Sequence, residues 1–181
     1  KINNGVTSNP VSIANAFNDY FIGIGPSLAK KIPVTSSSPT DYLGHANPRS
    51  MFVSPTSNDE IISIVKSLKQ NSSAGNDSLA PKIIHHVIQH VASPLSQIFN
   101  KSLSSGIFPD KLKIARVTPI FKADERTSVS NYRPISILPF FSKILEKIMY
   151  RRLDSFITDC DILTKSQYGF REKHSTYMAL L

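Results

Sequence analysis

The sequence predicts an α+β chain, with helices on either side of one β-hairpin. Two observations carry that expectation. Apolar residues recur at intervals of three and four along most of the chain, the spacing of one face of a helix. Between those stretches lie two short β-type runs, RVTPIF and RPISIL, separated by a polar loop, and the chain has no internal repeat.

The elements follow in order. Ser8-Asn9-Pro10 sets a capping residue before a proline suited to the first turn of a helix. Ile13, Phe17, Tyr20, Phe21, Ile24 and Leu28 continue that helix, and Gly23 with Gly25-Pro26 is expected to break it. PVTSSSPTDYLGHANPRS then reads as a linker, which divides the chain into an N-terminal helical arm and linker (residues 1–50) and a main domain (residues 51–181). Ser57 and Glu60 have the spacing of a capping box, and Ile61, Ile64, Val65 and Leu68 form the stripe of the helix they open. NSSAGNDSLAP is a loop. Residues 82–105 read as two helical stretches divided near Ser93-Pro94, because proline has no amide for a helix interior. Gly106 closes the second stretch. After the hairpin, a long helix from about Pro139 turns Phe141, Ile144, Leu145, Ile148, Phe156 and Ile157 inward, and Ser175 caps a last helix in HSTYMALL.

At 181 residues and 40% apolar content the chain is long enough for one domain with a core, with or without an arm. No apolar run approaches the roughly 18 residues of a membrane span. The polar start KINNGVTSNP does not read as a secretory signal. Cys160 is the only cysteine, which excludes an intrachain disulfide and a cysteine-based zinc site and fits a reducing compartment. A start at Lys1 and an end inside YMALL read as a piece of something longer.

Charge is uneven along the chain. Residues 1–110 hold 8 basic and 6 acidic groups, residues 111–152 hold 10 and 3, and residues 153–181 hold 3 and 4. The middle segment therefore carries +7 of the total +8. A field focused in this way suits a polyanion: nucleic acid, nucleotide phosphates or a membrane surface.

Within that segment Lys122 and Arg133 stand at the two feet of the hairpin loop. Pairing them directly leaves residues 123–132 as the loop, sets Ile120 opposite Ile135 and Thr118 opposite Ile137, and places both cations on one face. Like charges so placed repel, and a bound polyphosphate would offset the repulsion; two side chains splayed into solvent account for the same pattern. On the following helix Lys143, Lys147 and Arg151 recur every four residues as a ridge that Arg116 and Arg152 could widen. Other chemistries find less support. His86 and His90 are four apart with no third ligand in sight, and the 7 glycines form no phosphate-cradling loop.

Longer strings give a more specific pointer. SSAGNDSLAPK, IARVTPIFKADERTSVSNYRPISILPFFSKILEKIMYRRL and LTKSQYGFREKHSTYMALL, in this order, resemble the fingers region of a non-LTR retrotransposon (LINE-type) reverse transcriptase, over roughly residues 52–181. The arm IANAFNDYFIGIGPSLAKKI resembles the segment before that domain. The resemblance implies a mostly helical fingers subdomain with a β-hairpin, truncated before the palm sheet of a right-hand polymerase. It implies contacts from Lys122 and Arg133 to the triphosphate of the incoming deoxynucleotide, and a place beside the template for Gln167 to Arg171. It also implies template contact for the AGND loop, although Ser78 stands where the family loop has a second glycine.

Template RNA, primer DNA and an intracellular site, nucleus or cytoplasm, follow from the same resemblance. Such enzymes use Mg²⁺ held by paired aspartates. The chain has no adjacent Asp pair, Asp159 and Asp161 flank Cys160 at a helix end, and Asp124 and Glu125 lie in a loop expected to be mobile. The chain is therefore expected to bind no metal, to lack catalytic residues and to need the missing palm and thumb. The alternatives are a non-catalytic nucleic-acid-binding module and a non-functional remnant of a decayed element.

Overall fold

The computed structural model describes residues 6–33, 36–42 and 48–180. In order these form α1 (Pro10–Ala29), a short 3-10 turn (Pro39–Tyr42), α2 (Asn58–Ser67), α3 (Pro81–Ser105), α4 (Asp110–Lys113), β1 (Arg116–Phe121), β2 (Tyr132–Ile137) and α5 (Phe140–Asp159). The strands pair antiparallel as a two-stranded ribbon, so the α+β class holds. Part of the expected linker, residues 34–35 and 43–47, lies outside the described residues.

Helices α2, α3 and α5 make the core. Ile61, Ile64 and Val65 of α2, Ile84, Ile88, Leu95 and Phe99 of α3, and Phe140, Ile144, Leu145 and Ile148 of α5 bury one another. The α3 residues recur every three or four positions and so share one face of the helix. Polar ties close the edges of this core. Thr56 is buried; its amide donates to Asn100 Oδ1 at 2.7 Å, and Asn100 Nδ2 donates back to the Thr56 carbonyl at 3.0 Å. Ser142, fully buried, donates to the Leu112 carbonyl at 2.9 Å and so ties α5 to α4, a short helix that the sequence reading did not anticipate.

Several caps follow the sequence. Asn9 accepts from the Ser12 amide at 3.0 Å, Ser57 from the Glu60 amide at 3.2 Å, and Gly106 ends α3 at φ 68°. The capping box is only half formed, because the Glu60 carboxylate turns to Thr56 Oγ1 at 2.8 Å and to Arg152.

Two expected breaks do not occur. Helix α1 runs through Gly23, Gly25 and Pro26, and α3 is one helix of 25 residues with Pro94 inside it. Each proline removes one amide and sits on the exposed side of its helix. In α3 the buried stripe continues across the proline from Ala92 to Leu95 and Phe99, and that packing holds the axis. At the other end of the chain the expected last helix is a run of turns. The Ala179 and Leu180 amides bond three residues back, to Thr176 and Tyr177, and the Met178 amide reaches Ser175 Oγ at 3.4 Å. Leu181 lies outside the described residues.

Gly75 fixes where the hairpin leaves the core. It is buried, and a Cβ there would meet the Pro139 backbone nitrogen at 2.6 Å, so the AGND loop packs backbone to backbone against the junction of β2 and α5. Ser78, three residues on, holds φ 57°, the left-handed region that glycine tolerates best. The serine at this position therefore carries strain.

Candidate nucleic-acid interface

The hairpin register differs from the expected one by two residues. Ile120 pairs with Arg133, Thr118 with Ile135 and Arg116 with Ile137, and the Lys122 amide donates to the Asn131 carbonyl at 2.8 Å. That last bond and the 3-10 turn Val129–Asn131 tighten the loop end and set the register there, ahead of any matching of isoleucines. Because the shift is even, the faces are unchanged. Pro119 faces Pro134 in a pair that exchanges no hydrogen bonds, so neither missing amide costs the ribbon a rung.

One face of the ribbon therefore carries Arg116, Thr118, Ile120, Lys122, Arg133, Ile135 and Ile137. Lys122 and Arg133 are diagonal neighbours, not opposite ones, at about 7–8 Å. At that separation their repulsion in water is about half a kcal/mol, so the free hairpin bears it without a ligand. Ile120 and Ile135 are each 49% exposed between the cations, which gives this face an apolar strip with charge at its loop end.

The other face carries Val117, Pro119, Phe121, Tyr132, Pro134 and Ser136, and it meets α1. The Phe17 and Tyr132 rings meet edge to face at 4.8 Å, Tyr132 meets Phe121 at 5.4 Å, and the Arg126 guanidinium lies 4.5 Å above the Phe121 ring. The loop itself is tied down. Tyr132 Oη donates to the Arg126 carbonyl at 2.9 Å, Asn131 Nδ2 to the Glu125 carbonyl at 3.0 Å, and Thr127 Oγ1 to Glu125 Oε1 at 2.7 Å. These bonds link the loop to the foot of β2. The sequence reading missed these aromatics; the stripe through Phe17 and Phe21 and the Tyr132 beside Arg133 were the available signal.

On α5, Lys143, Lys147 and Arg151 share one side, spanning about 12 Å along the axis. The ridge is less free than the spacing suggests. The Lys147 ammonium lies 4.7 Å above the Tyr150 ring, and Arg151 Nη1 is 3.6 Å from Glu60 Oε1. Glu146, also on α5, has its carboxyl pushed up by burial and partly drawn back by Lys143. Arg152 does not widen the patch. Its guanidinium grips Glu60 in two bonds of 2.7 Å, donates to the carbonyls of Ser54 and Pro55, and is only 11% exposed. That grip, with the Thr56 hydroxyl, holds the Glu60 carboxyl at about 2. Arg152 is a structural cation.

Gln167 and Arg171 lie in the turns after α5, separate in sequence from the hairpin. Gln167 Nε2 donates to the Gly169 carbonyl at 3.4 Å, and Arg171 Nη1 to the Thr164 carbonyl at 3.3 Å. Arg171 is half-buried and lines a small cavity with Asp154, Asp161 and His174. His86 and His90 are both exposed on α3, and His86 Nδ1 lies 2.7 Å from the Lys82 carbonyl. Among the described residues no three His, Cys, Asp or Glu side chains come together as a metal site. The described acids do not fit a two-metal centre. No described helix is long and apolar enough to cross a membrane.

No protein-family model matches the chain. Individual proteins do. The chain is 33% identical over 128 residues to the protein named as the probable RNA-directed DNA polymerase from transposon BS of Drosophila melanogaster, covering 70% of this chain and 14% of that one. It is 31% identical over 137 residues to the RNA-directed DNA polymerase from mobile element jockey of the same species, covering 75% and 15%. A Bradysia coprophila relative, the retrovirus-related Pol polyprotein from type-1 retrotransposable element R1, is 29% identical over 65% of this chain and 12% of its own length. The matched stretch thus spans about one-seventh of the first two relatives. By sequence, this chain belongs to the family of non-LTR retrotransposon RNA-directed DNA polymerases.

Proposed function

We propose that the chain supplies the nucleotide- and template-binding fingers of an RNA-directed DNA polymerase, with residues 1–50 as an arm and linker and residues 51–181 as part of the polymerase domain. The observation that carries this reading is the outer ribbon face, where Lys122 and Arg133 share one end of an exposed apolar strip. Arg suits phosphate because its planar fork grips two oxygens, and Lys adds a point charge. In this reading Lys122 and Arg133 hold the triphosphate of the incoming deoxynucleotide. Arg116, Lys143, Lys147, Arg151, Gln167 and Arg171 face template RNA and primer DNA. The carboxylates that bind Mg²⁺ belong to a palm outside this chain, with the thumb beyond it, and the chain alone does not polymerise. The complete enzyme works inside the cell, in nucleus or cytoplasm.

Steady-state kinetics of a complete polymerase containing this segment test the reading. Lys122→Ala and Arg133→Ala each remove a charge-assisted contact of about 1.5–3 kcal/mol, so kcat/KM for the deoxynucleotide should fall roughly 10- to 100-fold with primer–template affinity retained. Unchanged kcat and KM in both variants would refute the assignment.

A further inference from the structure

We propose that α1 is a positioning element for the hairpin, and that Phe17, seated against Tyr132, fixes the ribbon that carries Lys122 and Arg133. The proposal rests on the reading of those two cations as phosphate contacts given above. No residue of β1 or β2 is buried, and a two-stranded ribbon alone is marginally stable in water. Something must hold it, and its inner face meets α1 across a groove of about 880 Å³ lined by Ile13, Phe17, Phe21, Val117, Pro119 and Pro134. Ring contacts cross that groove's end in sequence: Phe21 to Phe17 at 5.7 Å, Phe17 to Tyr132 at 4.8 Å, and Tyr132 to Phe121 at 5.4 Å. Phe121 immediately precedes Lys122, and Tyr132 immediately precedes Arg133. Successive residues of a strand point to opposite faces, so the stack holds the inner side of the two positions next to the outward cations. Helix α1, like the ribbon, has no buried residue of its own.

Amide hydrogen exchange and binding of inorganic tripolyphosphate, both in the full 181-residue chain, test the proposal. Phe17→Ala should raise exchange at hydrogen-bonded hairpin amides such as Ile120 and Lys122 about 10-fold. It should leave Ile64, Ile88 and Ile148 in the core unchanged and weaken tripolyphosphate about 10-fold. Phe17→Tyr, which keeps the ring, should restore both. Hairpin exchange unaltered by Phe17→Ala, or no restoration by Phe17→Tyr, overturns the proposal. So does a loosened hairpin with undiminished tripolyphosphate binding that still depends on Lys122 and Arg133. If Phe17→Ala loosens the hairpin while Lys122→Ala and Arg133→Ala leave tripolyphosphate binding intact, the positioning contact stands and the phosphate reading fails.

Discussion

In the frame made by α2, α3 and α5, residues Ile61, Ile64, Val65, Ile144 and Ile148 are fully buried, whereas no residue of α1, β1 or β2 is buried at all. The same chain has thus placed its apolar residues on two different terms. In the frame they face one another and supply stability. Ile13 and Ile22 of the arm and Val117, Ile120 and Ile135 of the hairpin remain at the surface, the last three within the segment 111–152 that carries the excess charge. A region with exposed apolar groups beside positive charge resembles a binding surface, and the frame behind it resembles a support. Gly75, packed against the Pro139 backbone, marks the seam between them.

Truncations on the two sides should therefore have unequal consequences. Phe99→Ala should cost about 3–5 kcal/mol of unfolding free energy, because Phe99 is 1% exposed and its loss leaves a cavity. Ile120→Ala should stay within about 0.5 kcal/mol. Urea denaturation of both variants checks this, and similar losses would erase the distinction.

The next effect is electrostatic and belongs to the frame. Arg152 holds the Glu60 carboxyl at about 2, below its ordinary 4.5. A depressed carboxyl stabilises the fold fully above the ordinary value and loses that contribution as pH falls through the folded one. Stability should therefore drop by about 3 kcal/mol between roughly pH 4.5 and pH 2, and Glu60→Gln should remove that part of the pH dependence. An unchanged acid profile in Glu60→Gln would mean that the pair contributes nothing. The smallest effect is at the seam. Ser78→Gly relieves a positive φ and should raise stability by about 0.5–1 kcal/mol, read as a higher urea midpoint; a lower midpoint would show that the serine is not strained.

Much of this architecture was legible in the sequence because it is local. Caps at Asn9, Ser57 and Gly106, both strands, and the frame's stripes are set within a few residues. The failures have long-range causes. Pro94 did not divide α3, because the stripe on the far side of the helix packs through it. Arg152 read as a free cation, because its partner Glu60 lies 92 residues earlier in the chain. Of the candidate site, the shared face of Lys122 and Arg133 was legible because it depends only on the two-residue period of a strand. The register was not, since a backbone bond from Lys122 to Asn131 set it. Phe17 was legible as helical spacing but not as a partner of Tyr132, since nothing local specifies which surface an amphipathic face will meet.

The central claim is that the cationic side of this molecule contacts a nucleic-acid backbone, and the salt dependence of single-stranded RNA binding tests it most directly. If three to five phosphates are contacted, log affinity should fall against log salt with a slope of about −2 to −3.5. Changing Lys143, Lys147 and Arg151 together to Gln should flatten that slope by about 2, with helix content unchanged. A slope that the triple substitution leaves unaltered would contradict the account, and would mark the α5 ridge as a solvent-facing surface.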